Sequence, residues 1–260
     1  MRNLLSFLLL LFLTCSPAWA GVSFDGTDDK MTFGTTNLPN GSQAVTVFSI
    51  FELNDTTGGG VTVSAWTNDG NTGQNWLQYF ADEATDRIRF GKRTSAGGGY
   101  YYVQYSGTIS ANTVYKAVQG INADASSGIS NVNGTENTTV TFWYGAGVNN
   151  TLYPWIGATR DSGGGSSFFD GKIYTICIWN TLLTSAQANT LVTAQTKNIC
   201  EQVAPSNLVR SFYLDDQPDG TSGDADAYRD RSSNSDTATG DDGANNTGLT
   251  NYAEKVSSYP

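Results

Sequence analysis

From residue 22 to residue 179 the chain alternates short apolar runs with turn-forming clusters, and this alternation constrains the fold more than any other feature. Strand-like runs occupy residues 22–33, 44–53, 61–66, 76–80, 87–90 and 100–105, then 114–121, 129–132, 140–144 and 155–159. Segments rich in Gly, Asn, Asp and Ser separate them, as at 56–60, 69–73 and 95–99. Many short strands at such spacing indicate antiparallel sheets packed face to face rather than βαβ units. The composition agrees. Charged residues are only 15% and aromatics 12% of the chain. The roughly 180 residues from Gly21 to Cys200 suit one β-sandwich with a sizeable two-sheet core.

The last apolar run, 169–180, is a Gly-led strand that passes through a short turn into the one helical signal of the chain, near 184–195. Thr184 and Gln187 have the spacing of a capping box, in which each side chain satisfies a free backbone N–H at the helix start. Asn133-Gly134 is a hairpin turn, because both residues tolerate positive φ.

Residues 1–20 read as a signal peptide. Arg2 is followed by an apolar stretch from Leu4 to Leu13 and by Ala18-Trp19-Ala20, a small-x-small cleavage pattern. The stretch is shorter than the roughly 20 residues that span a bilayer, so no membrane insertion is expected after cleavage. Cys15 allows a second reading, a lipid-modified N-terminus, although Thr14 before it is bulky for that processing. Either reading takes the protein out of the cytoplasm, to a secreted, periplasmic or cell-surface location. The two cysteines beyond the leader, Cys177 and Cys200, then suit a disulfide. Cys177 alternates with Ile176 and Ile178, which points it away from the core.

The net charge is −10. Residues 201–260 hold 11 acids against 4 bases and form an acidic C-terminal extension. A basic footprint for nucleic acid is missing.

Several motifs, in order, resemble the laminin-G-like domains of the concanavalin A-like lectin/glucanase superfamily. Phe24-Asp25-Gly26-Thr27-Asp28-Asp29 looks like their "F-D-G-x-D-D" entry. Ser130-Asn131-Val132-Asn133-Gly134-Thr135 looks like their central "x-V-N-G" hairpin, and Trp155-Ile156-Gly157-Ala158 and Asp170-Gly171-Lys172-Ile173 follow in order. The resemblance covers about 22–195 and implies a concanavalin A-like jelly roll. One departure is Tyr174-Thr175, where members often carry an acid. In the tail, Phe212-Tyr213-Leu214-Asp215-Asp216 and Asp230-Arg231-Ser232-Ser233-Asn234 resemble the segment that normally precedes "F-D-G-x-D-D". The tail therefore either completes the sandwich as a circular permutation, with Leu208, Phe212 and Leu214 beside the first strand, or is a flexible acidic extension.

Catalytic chemistry finds little support. The chain has no histidine, which removes His-based nucleophile systems and His-ligated zinc. The nearest acid cluster, Asp82-Glu83 with Asp86, reads as a solvated turn, and no "E-x-D-x-x-E" strand of a glycosidase occurs. Calcium is the plausible cofactor, because exported acidic loops supply the 6–8 oxygen ligands that it takes. Asp25, Asp28 and Asp29 lie near the first strand and the family fold would bring that end near Asp170; Asp25, Asp28 and Asp170 are the candidate metal ligands. Asp215, Asp216 and Asp219 lack the EF-hand order. Trp76 and Tyr101 are the candidate ligand-stacking aromatics, from a set that also holds Trp66, Tyr79, Tyr100, Tyr102, Tyr105, Trp143 and Tyr144. Sequons at Asn40, Asn54, Asn133, Asn137, Asn149 and Asn245 matter only in a eukaryotic secretory route. The expected protein is a secreted non-catalytic module that binds a glycan or cell-surface polysaccharide. Two alternatives stand: a surface-displayed structural domain that contacts a surface protein, and an atypical polysaccharide-active enzyme.

Overall fold

The computed structural model describes residues 21–56, 60–68, 74–81, 87–94, 99–145, 154–161, 166–196, 198–214, 227–234, 237–241 and 251–252. The expected leader at 1–20, with Cys15, lies outside them, as do Asp82, Glu83, Asp86, Asn149, Asp215, Asp216, Asp219, Asn245 and the side chains of Trp66, Trp143 and Tyr144.

The described strands open with β1 (Gly21–Asp25), β2 (Lys30–Thr32), β3 (Val45–Leu53), β4 (Gly60–Asn68), β5 (Gln74–Ala81), β6 (Arg87–Arg93) and β7 (Gly99–Gln104). They continue with β8 (Val114–Ile121), β9 (Gly128–Val132), β10 (Thr135–Asn137), β11 (Thr141–Gly145), β12 (Pro154–Ile156), β13 (Ala158–Asp161), β14 (Ser166–Phe168) and β15 (Asp170–Trp179). Helix α1 (Ser185–Thr193) follows, then β16 (Leu208–Tyr213), β17 (Ala227–Arg229), β18 (Thr237–Asp241) and β19 (Asn251–Tyr252).

Two large, mainly antiparallel sheets result. The first has the order β10-β9-β8-β3-β15-β1-β19, with β16 also on β15, and the second β11-β7-β6-β5-β4-β12-β2-β18-β17. The run expected at 22–33 is two strands, one in each sheet, because the turn at 26–29 carries the chain from one layer to the other. The Asn133-Gly134 turn joins β9 to β10 with φ of 49° and 87°. The capping box is present, with Gln187 N–H donating to Thr184 Oγ1 at 3.3 Å and Thr184 N–H to Gln187 Oε1 at 3.0 Å. Among the described residues no helix is long and apolar enough to cross a membrane.

The main core lies between the sheets, where Phe24, Val47, Phe51, Trp76, Phe90, Val103, Ile173, Ile176 and Phe212 are buried. A second core lies on the other side of the first sheet. Phe48, Ile50, Tyr174, Cys177 and Trp179 pack there against Leu183, Ala188, Leu191 and Cys200. Cys177 does point away from the inter-sheet core, yet it is fully buried, because α1 and the chain after it cover that face. It is bonded to Cys200 across 23 residues. Closing a loop of that size typically stabilises a fold by about 3 kcal/mol.

Strand β15 serves both cores, and a bulge makes this possible. Ile173 pairs with Phe51 and Thr175 with Ile50, so Tyr174 is the extra residue. The insertion lets Ile173 and Ile176, three apart, face the same core. Tyr174 turns outward and its hydroxyl donates to Glu52 Oε2 at 2.9 Å. Burial pushes its pKa up, and Glu52 adds to the shift.

The bulge also divides the partners of β15. Before it, residues 170–173 pair with β1; after it, residues 175–179 pair with β16. Strands β16 and β1 therefore lie end to end along one edge of β15 and run in the same direction. A buried polar clamp holds β16. The Arg210 guanidinium donates to the carbonyls of Val209, Gly34 and Thr36 at 2.7–2.9 Å. It also lies 3.9 Å from Asp230 Oδ2. Asp230 Oδ1 accepts the N–H groups of Ser211 and Ser232, both at 2.8 Å.

Lys92 points from β6 into the layer between the sheets. Its Nζ donates to the carbonyls of Gln43 and Asn122 at 2.5 Å and of Ala123 at 3.4 Å, tying two loops to the strand. Burial lowers its pKa to about 7, partly offset by Asp124.

Truncating Phe212, buried between the sheets on β16, should cost about 3–5 kcal/mol, the usual loss for a core Phe→Ala; the urea midpoint of Phe212→Ala measures it. Lys92 gives a pH signature. The unfolded chain takes up a proton between the folded value of about 7 and the unfolded value of 10.5. Stability should therefore rise with pH across that window. Urea midpoints measured from pH 7 to 10 should show this rise relative to Lys92→Met.

Candidate functional site

The turn between β1 and β2 gathers three acids. Asp25, Asp28 and Asp29 each present a carboxylate oxygen within 4.8 Å of the other two, with Asp25 and Asp28 exposed and Asp29 buried. The turn is built from its own carboxylates. Asp29 Oδ2 accepts the Asp25 N–H at 2.9 Å, and Asp25 Oδ1 accepts the Thr27 N–H at 2.8 Å. Gly26 N–H donates to the Phe169 carbonyl at 3.1 Å, which anchors the turn to the start of β15. The oxygen-only donor set and the open side of the turn fit calcium, with water completing a shell of 6–8 oxygens. Asp170 stands opposite Asp25 in the ladder. Its carboxylate instead accepts from Asn54 Nδ2 at 2.7 Å, and it does not join the three-acid group. Asp29 takes its place because the turn brings residue 29 back beside the backbone of residue 25.

The two candidate stacking aromatics face the core side of the second sheet. Trp76 is fully buried there, its indole N–H donating to the Pro39 carbonyl at 2.7 Å, so it presents no surface to a ligand. The alternation of β5 places Trp76 and Gln78 inward and Leu77 and Tyr79 outward. Tyr101 also points inward, half-buried at the margin of the core beside the exposed Phe142, with ring centroids 5.3 Å apart.

The outward face of the same sheet carries the other aromatics. Tyr79, Arg89 and Gln104 stand in one row across β5, β6 and β7, and Arg93 stands opposite Tyr100. Tyr100 lies down over Gly91, where a Cβ would come within 2.0 Å of its hydroxyl. That hydroxyl donates to the Tyr79 hydroxyl at 2.9 Å. Arg93 lies over the Tyr100 ring at 5.9 Å and Arg89 over the Tyr102 ring at 5.2 Å. Arg89 Nε also donates to Gln104 Oε1 at 3.2 Å. Burial pushes the Tyr100 pKa well up, and Tyr79 adds to it; Arg89 and Arg93 oppose the shift. Further along the face, Lys30 sits 5.7 Å from the half-buried Trp155 ring. The sequence signal for this face was the alternation Arg87, Arg89 and the tyrosine run 100–102, whose parity fixes which rings look outward.

No protein-family model matches the sequence, and no curated protein matches it. Solved structures match in fold. A carbohydrate-binding protein from Bacteroides ovatus, itself described as putative, superposes with a TM-score of 0.54 at 13% identity, over 87% of this chain and 59% of that one. The chain thus spans under two thirds of that protein's length. The heptameric SAP-like pentraxin of Limulus polyphemus matches with a TM-score of 0.51 at 17% identity, over 67% of this chain and 82% of that one. The CBM40 of the Ruminococcus gnavus IT-sialidase, bound to α2,3-sialyllactose, matches with a TM-score of 0.50 at 10% identity, over 66% of this chain and 97% of that one. At these identities the likeness is one of fold alone, an all-β sandwich of two mainly antiparallel sheets.

Proposed function

We propose that this chain is an extracytoplasmic, non-catalytic glycan-binding module in which calcium at Asp25, Asp28 and Asp29 assists the contact with sugar. The observation that carries the reading is the convergence of three carboxylates in one exposed turn, on a sandwich similar to carbohydrate-binding domains. A divalent cation there offsets the mutual repulsion of the acids. It also leaves coordination positions that two vicinal sugar hydroxyls can fill in place of water. The buried disulfide between Cys177 and Cys200 fits an oxidising compartment. The cleavable leader expected at 1–20 supplies the route. In the same reading the strands after residue 200 complete the sandwich begun by residues 21–200, with β16 in the place beside β1 that a permuted first strand would fill.

Thermal melting of residues 21–260 with calcium and with excess EDTA tests the metal. Binding to the folded state alone should raise stability by about 2.7 kcal/mol at a hundredfold excess over Kd. The double variant Asp25→Asn/Asp28→Asn should melt at the EDTA temperature in both buffers. An unchanged melting temperature at millimolar calcium would remove the metal. A glycan array read with calcium and with EDTA then tests the sugar, and release of cleaved product from a bound polysaccharide would overturn the non-catalytic assignment.

A further inference from the structure

Phe142 is the one large apolar side chain exposed among the described residues, at 58%. It stands on β11, the edge strand of the second sheet, and pairs with Tyr101 on β7. Lys92 on β6 is the next member of that row. The first sheet stops short here, because β10 pairs with residues 130–132 of β9 and does not reach Gly128 or Ile129. The rings of Phe142 and Tyr101 meet at this rim with centroids 5.3 Å apart and planes at 58°. Tyr101 is half-buried against the core, so it backs the more exposed ring. Loop 122–127 lies beside the rim. Gly128, the residue after it, is so close to Val103 and Val140 that a Cβ there would come within 2.5 and 2.8 Å of them. Lys92 reaches from the aromatic row to the carbonyls of Asn122 and Ala123, and the buried Ala125 anchors the loop in the core. Within the loop, Asp124 Oδ1 accepts from the Ser126 N–H at 3.0 Å and the Ser126 hydroxyl at 2.7 Å. Asn122 Oδ1 accepts the Ser127 N–H at 3.0 Å. The hydrogen bonds from Ser126 hold the Asp124 carboxyl below its ordinary range. The loop is thus set in advance, with Asp124, Ser126 and Ser127 exposed.

We infer that Phe142, backed by Tyr101, stacks on the apolar face of a neutral sugar ring while Asp124 on the neighbouring loop accepts hydrogen bonds from its hydroxyls. The inference rests on the glycan-binding reading and adds to it a site that needs no calcium. The two sites lie at opposite ends of β3, whose Val45 pairs with Ile121 beside the loop and whose Leu53 pairs with Gly171 beside the acidic turn. An aromatic surface with a few set polar groups is the usual make-up of a small-ligand site. The face of the ring carries partial negative charge, which suits the polarised C–H groups of a pyranose. A protein partner is disfavoured, because a stable interface takes about 800 Å² from each side, and no second large apolar side chain is exposed among the described residues. An anionic sugar is disfavoured as well, since Asp124 and the net charge of −10 both repel it.

Affinity electrophoresis of residues 21–260 through gels containing galactomannan, laminarin, hydroxyethylcellulose or polygalacturonate, all in EDTA, tests this. At least one of the three neutral polymers should retard the protein, and the retardation should hold from about 50 to about 300 mM salt, because no ion pair is involved. The apparent Kd should rise about tenfold in Phe142→Ala and stay within about twofold in Phe142→Trp, which keeps a ring. Phe142→Leu, which keeps apolar bulk but loses the ring, carries the comparison if Phe142→Ala does not melt cooperatively. Retardation unchanged in both ringless variants would overturn the inference while leaving the glycan reading standing. Retardation by polygalacturonate alone would overturn the neutral-sugar site. Binding that appears only when calcium replaces EDTA would assign the sugar to the acidic turn and overturn the inference. No retardation by any polymer in either buffer would overturn it too, and the glycan array would judge the wider reading separately. Self-association in sedimentation velocity that disappears in Phe142→Ala would make the rim a contact between copies and overturn the sugar site.

Discussion

The first sheet depends on the two-sided burial of β15. This strand pairs with β3 along nearly its whole length and gives its other edge to β1 and β16 in succession. Both of its faces are covered, one by the second sheet and the other by α1 with the segment that follows it. A strand buried on both sides must be apolar at almost every position, and GKIYTICIW nearly is. The bulge at Tyr174 reconciles that requirement with the spacing of its isoleucines. In a regular strand without the bulge, Ile173 and Ile176, three apart, would look to opposite faces and one core would lose a side chain. The same bulge falls where β1 hands over to β16, so one irregularity sets both the packing and the order of the chain along that edge.

Much of this was legible in the residues. The capping box at Thr184 and Gln187, the Asn133-Gly134 turn and the all-β alternation each rest on local chemistry that tertiary packing did not override. The acidic turn was legible in part. Asp25, Asp28 and Asp29 were visible as neighbours in sequence, but the sequence did not show that a hydrogen bond from the Asp25 backbone draws the Asp29 carboxylate in while the Asp170 carboxylate takes Asn54. What was hidden is what a linear pattern cannot carry. The parity of Trp76 depends on which face of the second sheet is covered, and a Trp beside Gln78 gives no local sign of it. The burial of Cys177 depends on a helix more than five residues downstream folding back over the sheet. The polar residues inside the sandwich were equally silent. Gln78 sits between the sheets and accepts from Ser49 and Thr62 while donating to Gln119. Such a network costs little only when every member is satisfied, which sequence alone cannot reveal.

The end-to-end line of β16 and β1 bears on how the chain reaches its native state. Gly21 begins β1, and β1 also pairs with β19 on its far side. The two segments are far apart in sequence, β1 at residues 21–25 and β16 at residues 208–213. The line closes only after residues 208–214 return, so its contacts are long in sequence, and sheets rich in such contacts assemble slowly. The buried Arg210–Asp230 pair sits on the returning segment. A paired, hydrogen-bonded charge in that position costs desolvation on formation but is far costlier to break singly, which favours one docking register over its neighbours.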